Sequence, residues 1–263
     1  VGGPRLKKRY GQHHLRGGEL CRPLVDYLRP AGWPVVEIGP GGGVLTGELL
    51  SAGARVLACE VDLEWAFHLR RRLPSVTVAA VDALHLHWRR LPGRWLVAGN
   101  LPFNVATRLI ERLLPHAATV PRAAFMVQKE VAERLLARPG DPAYGSLSVV
   151  AAAQAELTHL GTVAPGSFRP PPKVAAAFVG FELRPPPVAP EELPAFVRLV
   201  RLAFARRRKT LRNSLASGLG REGAERLLEA VGLDSRCRAE SLPVATFVAL
   251  FEAAREVEQN PSR

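Results

Sequence analysis

Val35-Val36-Glu37-Ile38-Gly39-Pro40-Gly41-Gly42-Gly43 is a short β-branched run that ends in a glycine-rich turn. The residues after it take up helical spacing, with Leu45 and Leu49 four apart. Strand, glycine turn and helix in that order open a nucleotide-binding α/β unit. Glycine lets the backbone approach a ligand where a Cβ would collide. The dinucleotide fingerprint requires glycine at position 44, which is Val44, so a nicotinamide dinucleotide loses support as the ligand.

Outward from this turn, three further apolar runs end in polar residues. Arg55-Val56-Leu57-Ala58-Cys59 ends at Glu60, Val76 to Val81 ends at Asp82, and Trp95-Leu96-Val97-Ala98 leads to Asn100. In open α/β sheets, ligands bind at the carboxyl ends of the strands. An acid about 20 positions beyond the glycine turn is placed to accept hydrogen bonds from two ribose hydroxyls. By the same placement, Asp82 accepts from an adenine amino group. Asn100-Leu101-Pro102-Phe103 then forms a stiff pocket wall, because Pro102 fixes its own φ and restricts Leu101. Phe103 offers a face on which a planar base can stack. Such a site suits holding an exocyclic amine while a group is transferred to it.

The rest of the chain extends the alternation. Leu20, Leu24 and Leu28 mark an amphipathic helix, and Leu109 and Leu113 another. Ala123 to Val127, Ser148 to Ala155 and Ala175 to Leu183 read as strands, with a helix from Gln128 toward Leu136. Alternating segments of this kind predict a doubly wound, largely parallel sheet. Pro185-Pro186-Pro187, Pro190 and Pro194 read as a linker into a small helical domain. Residues 198–212, on the first helical pattern of that domain, hold seven Lys or Arg and no acid. Unpaired like charges at helical spacing repel, and phosphates would relieve them.

Composition supports a globular nucleic-acid partner. The 263 residues include 36 basic against 24 acidic ones, a net charge of +12 that attracts polyanions. No apolar run approaches the roughly 20 residues that span a bilayer, and the basic start is not followed by an apolar stretch, so no membrane or secretory segment is expected. Cys21, Cys59 and Cys237 lie far apart and suggest free thiols in a reducing compartment. His13 and His14 have no third ligand at metal spacing, and no metal is expected.

The pieces that carry a resemblance are Lys8 to Leu15, Glu37 to Gly42, Glu60-Val61-Asp62, Asp82-Ala83, Asn100 to Phe103, Phe168-Arg169-Pro170-Pro171-Pro172-Lys173-Val174 and Arg207 to Asn213. In that order and over nearly the whole chain, the sequence resembles the ribosomal RNA adenine dimethyltransferases, Class I enzymes that use S-adenosylmethionine. The resemblance implies a Rossmann-like, mostly parallel seven-stranded sheet with an antiparallel strand near its end. It divides the chain into a methyltransferase domain, residues 1–185, and a C-terminal helical RNA-binding domain, residues 186–263. It implies that Asn100, Leu101, Pro102 and Phe103 carry the chemistry. His13, Leu15, Gly39, Gly41, Glu60, Asp82 and Asn100 would hold the cofactor. His13 and His14 depart from the family's amide and aromatic at these positions.

The resemblance further implies that Phe103 and Phe168 clamp the target base and that Arg206, Arg207, Arg208, Lys209 and Arg212 bind RNA. The expected partner is small-subunit ribosomal RNA or its precursor subunit, and a cytoplasmic monomer is expected. Other readings stay open: a large-subunit enzyme conferring macrolide resistance, which Phe rather than Tyr at position 103 favours; a non-catalytic assembly or transcription factor on the same fold; and a small-molecule methyltransferase, which would not need the basic helix.

Overall fold

The structure, a computed structural model, describes residues 3–7, 13–206 and 208–259. The chain divides into two compact units, one of Val1–Ala132 with Ala155–Pro185 and the other of Glu133–Gln154 with Pro186–Arg263. The chain crosses between the units three times, and the last crossing falls in the proline run. The first two do not follow the sequence pattern, because residues 133–154 join the helical unit rather than the sheet unit.

The first unit is built on a seven-stranded sheet. Its strands are β2 (Pro34–Ile38), β3 (Arg55–Glu60), β4 (Thr77–Ala80), β5 (Leu96–Asn100), β6 (Arg122–Gln128), β7 (Ala155–Val163) and β9 (Ala176–Leu183). They lie in the order β4-β3-β2-β5-β6-β9-β7. Strands β2 to β6 are parallel, and β9 runs antiparallel to both β6 and β7. The central strands read as continuous apolar runs because helices cover both faces of a parallel sheet. Val35, Val36, Leu96, Val97 and Ala98 are fully buried.

The chain winds outward from β2 to β4 and then returns to place β5 on the other side of β2. The strand order therefore reverses between β2 and β5, and a crevice opens there. Ile38 is in register with Gly99 across this point. A Cβ on Gly99 would sit 2.7 Å from the Ile38 carbonyl oxygen, so the close approach needs glycine.

A second, two-stranded ribbon joins distant parts of the chain. Strand β1 (His14–Leu15) pairs antiparallel with β8 (Phe168–Arg169), matching His14 to Arg169 and Leu15 to Phe168. Arg16 extends the ribbon, its N–H donating to the Ser167 carbonyl at 3.0 Å.

Helix α1 (Arg22–Leu28) and a preceding 3-10 turn bury Cys21, Leu24 and Leu28, as the leucine spacing predicts. Helix α2 (Val44–Ser51) follows the glycine turn. Helix α3 (Leu63–Arg72) is capped by Asp62, whose carboxylate accepts from Glu64 N at 3.1 Å. Helix α4 (Ala106–Leu113) follows β5, and α5 (Lys129–Leu136) follows β6.

Residues 148–155 are not a strand. Ser146–Ala152 form helix α6, and β7 begins only at Ala155. A short, mostly buried run of valine and alanine carries no periodicity that separates helix from strand. Ser148 decides it locally: its hydroxyl accepts from Gly145 N at 3.0 Å and donates to the Arg134 carbonyl at 2.5 Å.

The second unit adds α7 (Leu193–Ala203), α8 (Leu211–Ala230) and α9 (Val244–Gln259). Helix α8 is broken at Gly220, whose φ of 72° favours glycine. Phe196 and Phe247 are fully buried. Buried Tyr144 donates its hydroxyl to the Leu242 carbonyl at 2.9 Å, which satisfies its one polar atom.

The basic stretch does not follow one helix face: Arg198 and Arg201 lie on α7, but its densest part does not. Arg206, Arg208 and Lys209 sit in the turn between α7 and α8, closed by Lys209 N donating to the Arg206 carbonyl at 2.8 Å. Thr210 stops any helix from running through, because it caps α8 by accepting from Asn213 N. Arg212 opens α8 and pairs with Glu225 at 3.3 Å. Arg207, like the Lys8 to Gln12 part of the N-terminal motif, lies outside the described residues.

Candidate active site at the carboxyl ends of the strands

A cavity of about 80 Å³ opens at the reversal point of the sheet. Gly39, Gly41, Glu60, Asp82 and the stretch Asn100 to Phe103 line it, together with His13, His14, Val61, Val81, Ala83 and Leu109. The four strand ends singled out in the sequence thus meet in one crevice. The apolar wall residues escaped notice, because single aliphatic residues just after strands carry no chemical signal.

Glu60 is buried, and both of its oxygens are engaged: Oε2 accepts from Gly41 N at 3.1 Å and Oε1 from Asp62 N at 2.9 Å. The carboxylate thereby ties the glycine turn to the start of α3. Burial pushes its pKa above the ordinary glutamate range, against the pull of the backbone donors. Each oxygen keeps a further lone pair. Asp82 uses Oδ1 to accept from Leu84 N at 2.9 Å.

The glycine turn has the room and shape it requires. Gly39 and Gly41 have φ of +66° and +49°, and a Cβ on Gly41 would lie 2.6 Å from His14 Nε2. A buried acceptor, a glycine turn and flat aliphatic walls fit the adenosyl group that the resemblance implies.

Asn100 ends β5 with its amide held. Nδ2 donates to the His13 carbonyl at 2.7 Å, which leaves Oδ1 as the amide's acceptor. Leu101 is buried, and its N–H donates to the Met126 carbonyl at 3.0 Å. The Pro102 carbonyl accepts from Val105 and Ala106, both at 3.0 Å, and turns the chain into α4.

Phe103 is half-buried. The His13 ring stacks on it, with centroids 5.5 Å apart and planes inclined by 29°. His13 Nδ1 lies 2.9 Å from the Pro170 carbonyl, so the imidazole is fixed between two loops. His14 packs edge-on to Trp65 at 4.5 Å, and burial lowers its pKa.

Phe168 does not form the opposite side of a base clamp. Its side chain is fully buried, belongs to the core beneath the β1–β8 ribbon and lines no part of the cavity. A proline-rich loop gives no periodic clue to which way its aromatic points, and here the ring anchors the loop. Leu15 is its register partner and is likewise buried. Leu15 lines an adjoining cavity of about 30 Å³ with Gly39, Asn100 and Glu37.

Glu37 is a group whose character the sequence hides. It lies within β2, is fully buried, and its Oε2 has no hydrogen-bond partner. Burial pushes its pKa up to about 8, with Glu60 adding repulsion. The small cavity beside it is large enough for one water.

Known proteins resemble this chain closely. Residues 3–256 match the family described as "Ribosomal RNA adenine dimethylase". The protein named "Ribosomal RNA small subunit methyltransferase A" of Acidithiobacillus ferrooxidans is 42% identical over 260 residues, covering 96% of each chain. Its namesake in Desulfitobacterium hafniense is 39% identical and covers 96% of this chain and 93% of its own. Among solved structures, a dimethyladenosine transferase from Plasmodium falciparum has the same fold, with a TM-score of 0.79, 23% identity and coverage of 95% and 98% of the two chains. The 23S rRNA methyltransferase ErmE gives 0.63 at 26% identity, covering 97% of this chain and all of its own. With the glycine turn, Glu60, Asp82 and Asn100 gathered in one crevice, and with a match across almost its full length, the chain belongs to the ribosomal RNA adenine dimethylase family.

Proposed function

We propose that this protein moves methyl groups from S-adenosylmethionine to the N6 amine of adenines in small-subunit ribosomal RNA, dimethylating two adjacent adenosines during ribosome biogenesis. The observation that carries this reading is the fixed amide of Asn100 in the same crevice as Glu60 and the glycine turn. Family membership and the small-subunit relatives at about 40% identity support it. When bound, S-adenosylmethionine supplies an electrophilic methyl on a good leaving group, so no covalent enzyme intermediate is required.

The chain's task is to position a poor nucleophile. The N6 lone pair of adenine is delocalised into the ring. Asn100 Oδ1 and the Leu101 carbonyl accept the amine's N–H groups, draw the nitrogen toward tetrahedral geometry and aim it. Phe103 holds the ring plane once the base has left its stack. Positioning and fixed dipoles, rather than a strong base, carry the rate. The proton is acidic once nitrogen is alkylated and leaves to water. Glu60 receives the ribose hydroxyls and Asp82 the adenine amino group of the cofactor.

The turn of Arg206 to Lys209, with Arg212 after it, grips RNA phosphates, and residues 186–263 serve as the RNA-binding domain. The substrate is a precursor of the small subunit and the enzyme acts as a cytoplasmic monomer. No helix among the described residues is long and apolar enough to cross a membrane.

Incubation with labelled S-adenosylmethionine and unmethylated small or large ribosomal subunits, followed by mapping of N6-methylated adenines, tests the proposal. Label in small-subunit RNA is expected. Label in large-subunit RNA alone, or RNA binding without any label, overturns it.

A further inference from the structure

Helix α3 carries an exposed face that its fold does not need. Trp65, Ala66 and Leu69 bury one side of the helix. On the other, Leu63 and Phe67, four residues apart, are 60% and 61% exposed, and Val61 just before the helix is 41% exposed. An amphipathic helix on a sheet normally turns polar residues outward. Sequences depart from that rule chiefly where a surface has work beyond folding.

The setting of this face selects its partner. Val61 also lines the active-site cavity, so the patch begins at the cavity mouth. The Arg70 guanidinium lies over the Phe67 ring, 5.8 Å from its centroid. It is held there by donating to the Val78 carbonyl at 2.6 Å. One face of the ring is thus backed by an anchored cation. Arg71 is exposed beside it and, with Phe67, lines an open groove of about 890 Å³. The acid in that groove, Glu64, is paired with Lys7 at 2.9 Å. An aromatic ring backed by arginine, next to a second exposed arginine, suits a stacked base and its phosphate. Arg70 and Arg72 already donate to the Val78 and Gly42 carbonyls, and a purely apolar partner would bury the exposed Arg71 charge without a counter-ion.

We infer that Phe67, with Arg70 and Arg71, forms a second RNA contact on the catalytic unit, where an unpaired nucleotide flanking the target adenine stacks on Phe67 and its phosphate meets Arg71. This rests on the proposed RNA substrate and extends its path from the cavity across α3. The platform would hold the strand next to the flipped base.

The test uses the full chain, small subunits lacking N6 methylation, and a synthetic RNA hairpin with two adjacent adenines in its loop. Phe67→Ala is expected to raise the KM for subunits and weaken hairpin binding by roughly 5- to 100-fold, the range for loss of one base stack. Its kcat, melting temperature and S-adenosylmethionine affinity stay at the wild-type level, and Phe67→Trp restores binding. Arg71→Glu lowers the salt slope of hairpin binding by about 1. Wild-type KM and binding in Phe67→Ala, or a loss that comes with a fall in melting temperature and is not rescued by Trp, overturns the inference. If the wild type transfers no methyl to small subunits, the proposed function fails. The hairpin affinities of wild type, Phe67→Ala and Phe67→Trp still decide the α3 platform in that case.

Discussion

Asn100 and His13 are 87 positions apart in sequence, and the side-chain amide of the first donates to the backbone carbonyl of the second at 2.7 Å. The bond assigns the two ends of the amide, nitrogen to the arm and oxygen to the substrate.

Asn100→Ala should therefore lower single-turnover methyl transfer by about 10²- to 10³-fold, the scale for removing one fixed polar group from a transition state. S-adenosylmethionine affinity, measured by calorimetry, should fall less. Asn100→Asp is nearly isosteric but places an acceptor against the His13 carbonyl, and it should be as slow as the alanine variant. Normal turnover in either variant removes the amine-holding role.

Phe168→Ala should act on stability. Emptying a fully buried aromatic site costs about 3–5 kcal/mol, visible as a lower urea midpoint. The KM for RNA of the protein that remains folded should stay near the wild-type value. A large KM effect without loss of stability would return Phe168 to the base pocket.

Glu37 gives the fold a pH dependence of defined sign. Between the ordinary value of 4.5 and about 8, the folded protein keeps a proton at Glu37 that the unfolded chain releases. Stability therefore declines as the pH rises through that window. Thermal melts from pH 5 to 9 should show this fall, and Glu37→Gln should flatten it. Some slope remains in the variant, because Glu60 is shifted in the same direction. An unchanged slope in Glu37→Gln would refute the assignment.

Replacing Arg206, Arg208 and Lys209 together with alanine should weaken RNA binding and reduce its salt slope by roughly 2–3, at a little under one counterion per phosphate contact. The melting temperature should hold, since all three side chains are exposed in a turn. A salt slope equal to that of the wild type would take the turn out of the interface.

These particulars show where sequence is sufficient. Gly39, Glu60, Asp82 and Asn100 are legible because each closes a β-branched or apolar run, and parallel sheets bring such ends to one edge. Residues 148–155 are not, because Val149 and Val150 suit either a buried strand or a buried helix. The true strand from Ala155 carries Glu156, Thr158 and His159 at the sheet edge and so hides its own pattern. The basic cluster was misplaced because arginines continue a helical spacing that Thr210 interrupts. Phe168 was misjudged because only the pairing of its loop with Leu15 shows which way the ring must turn. The exposed face of α3 went unread, since Leu63 and Phe67 look like core positions until the sheet is in place.

The ribbon between His14–Leu15 and Phe168–Arg169 bears on how the enzyme matures during synthesis. The carbonyl that orients Asn100 belongs to a residue whose ring is held by Pro170, more than 150 positions downstream. A nascent chain that has completed β2 to β6 already owns the glycine turn and both carboxylates, yet still lacks the partner that seats its amino-terminal arm. Seating of the arm that orients Asn100 therefore waits until translation has passed Pro170.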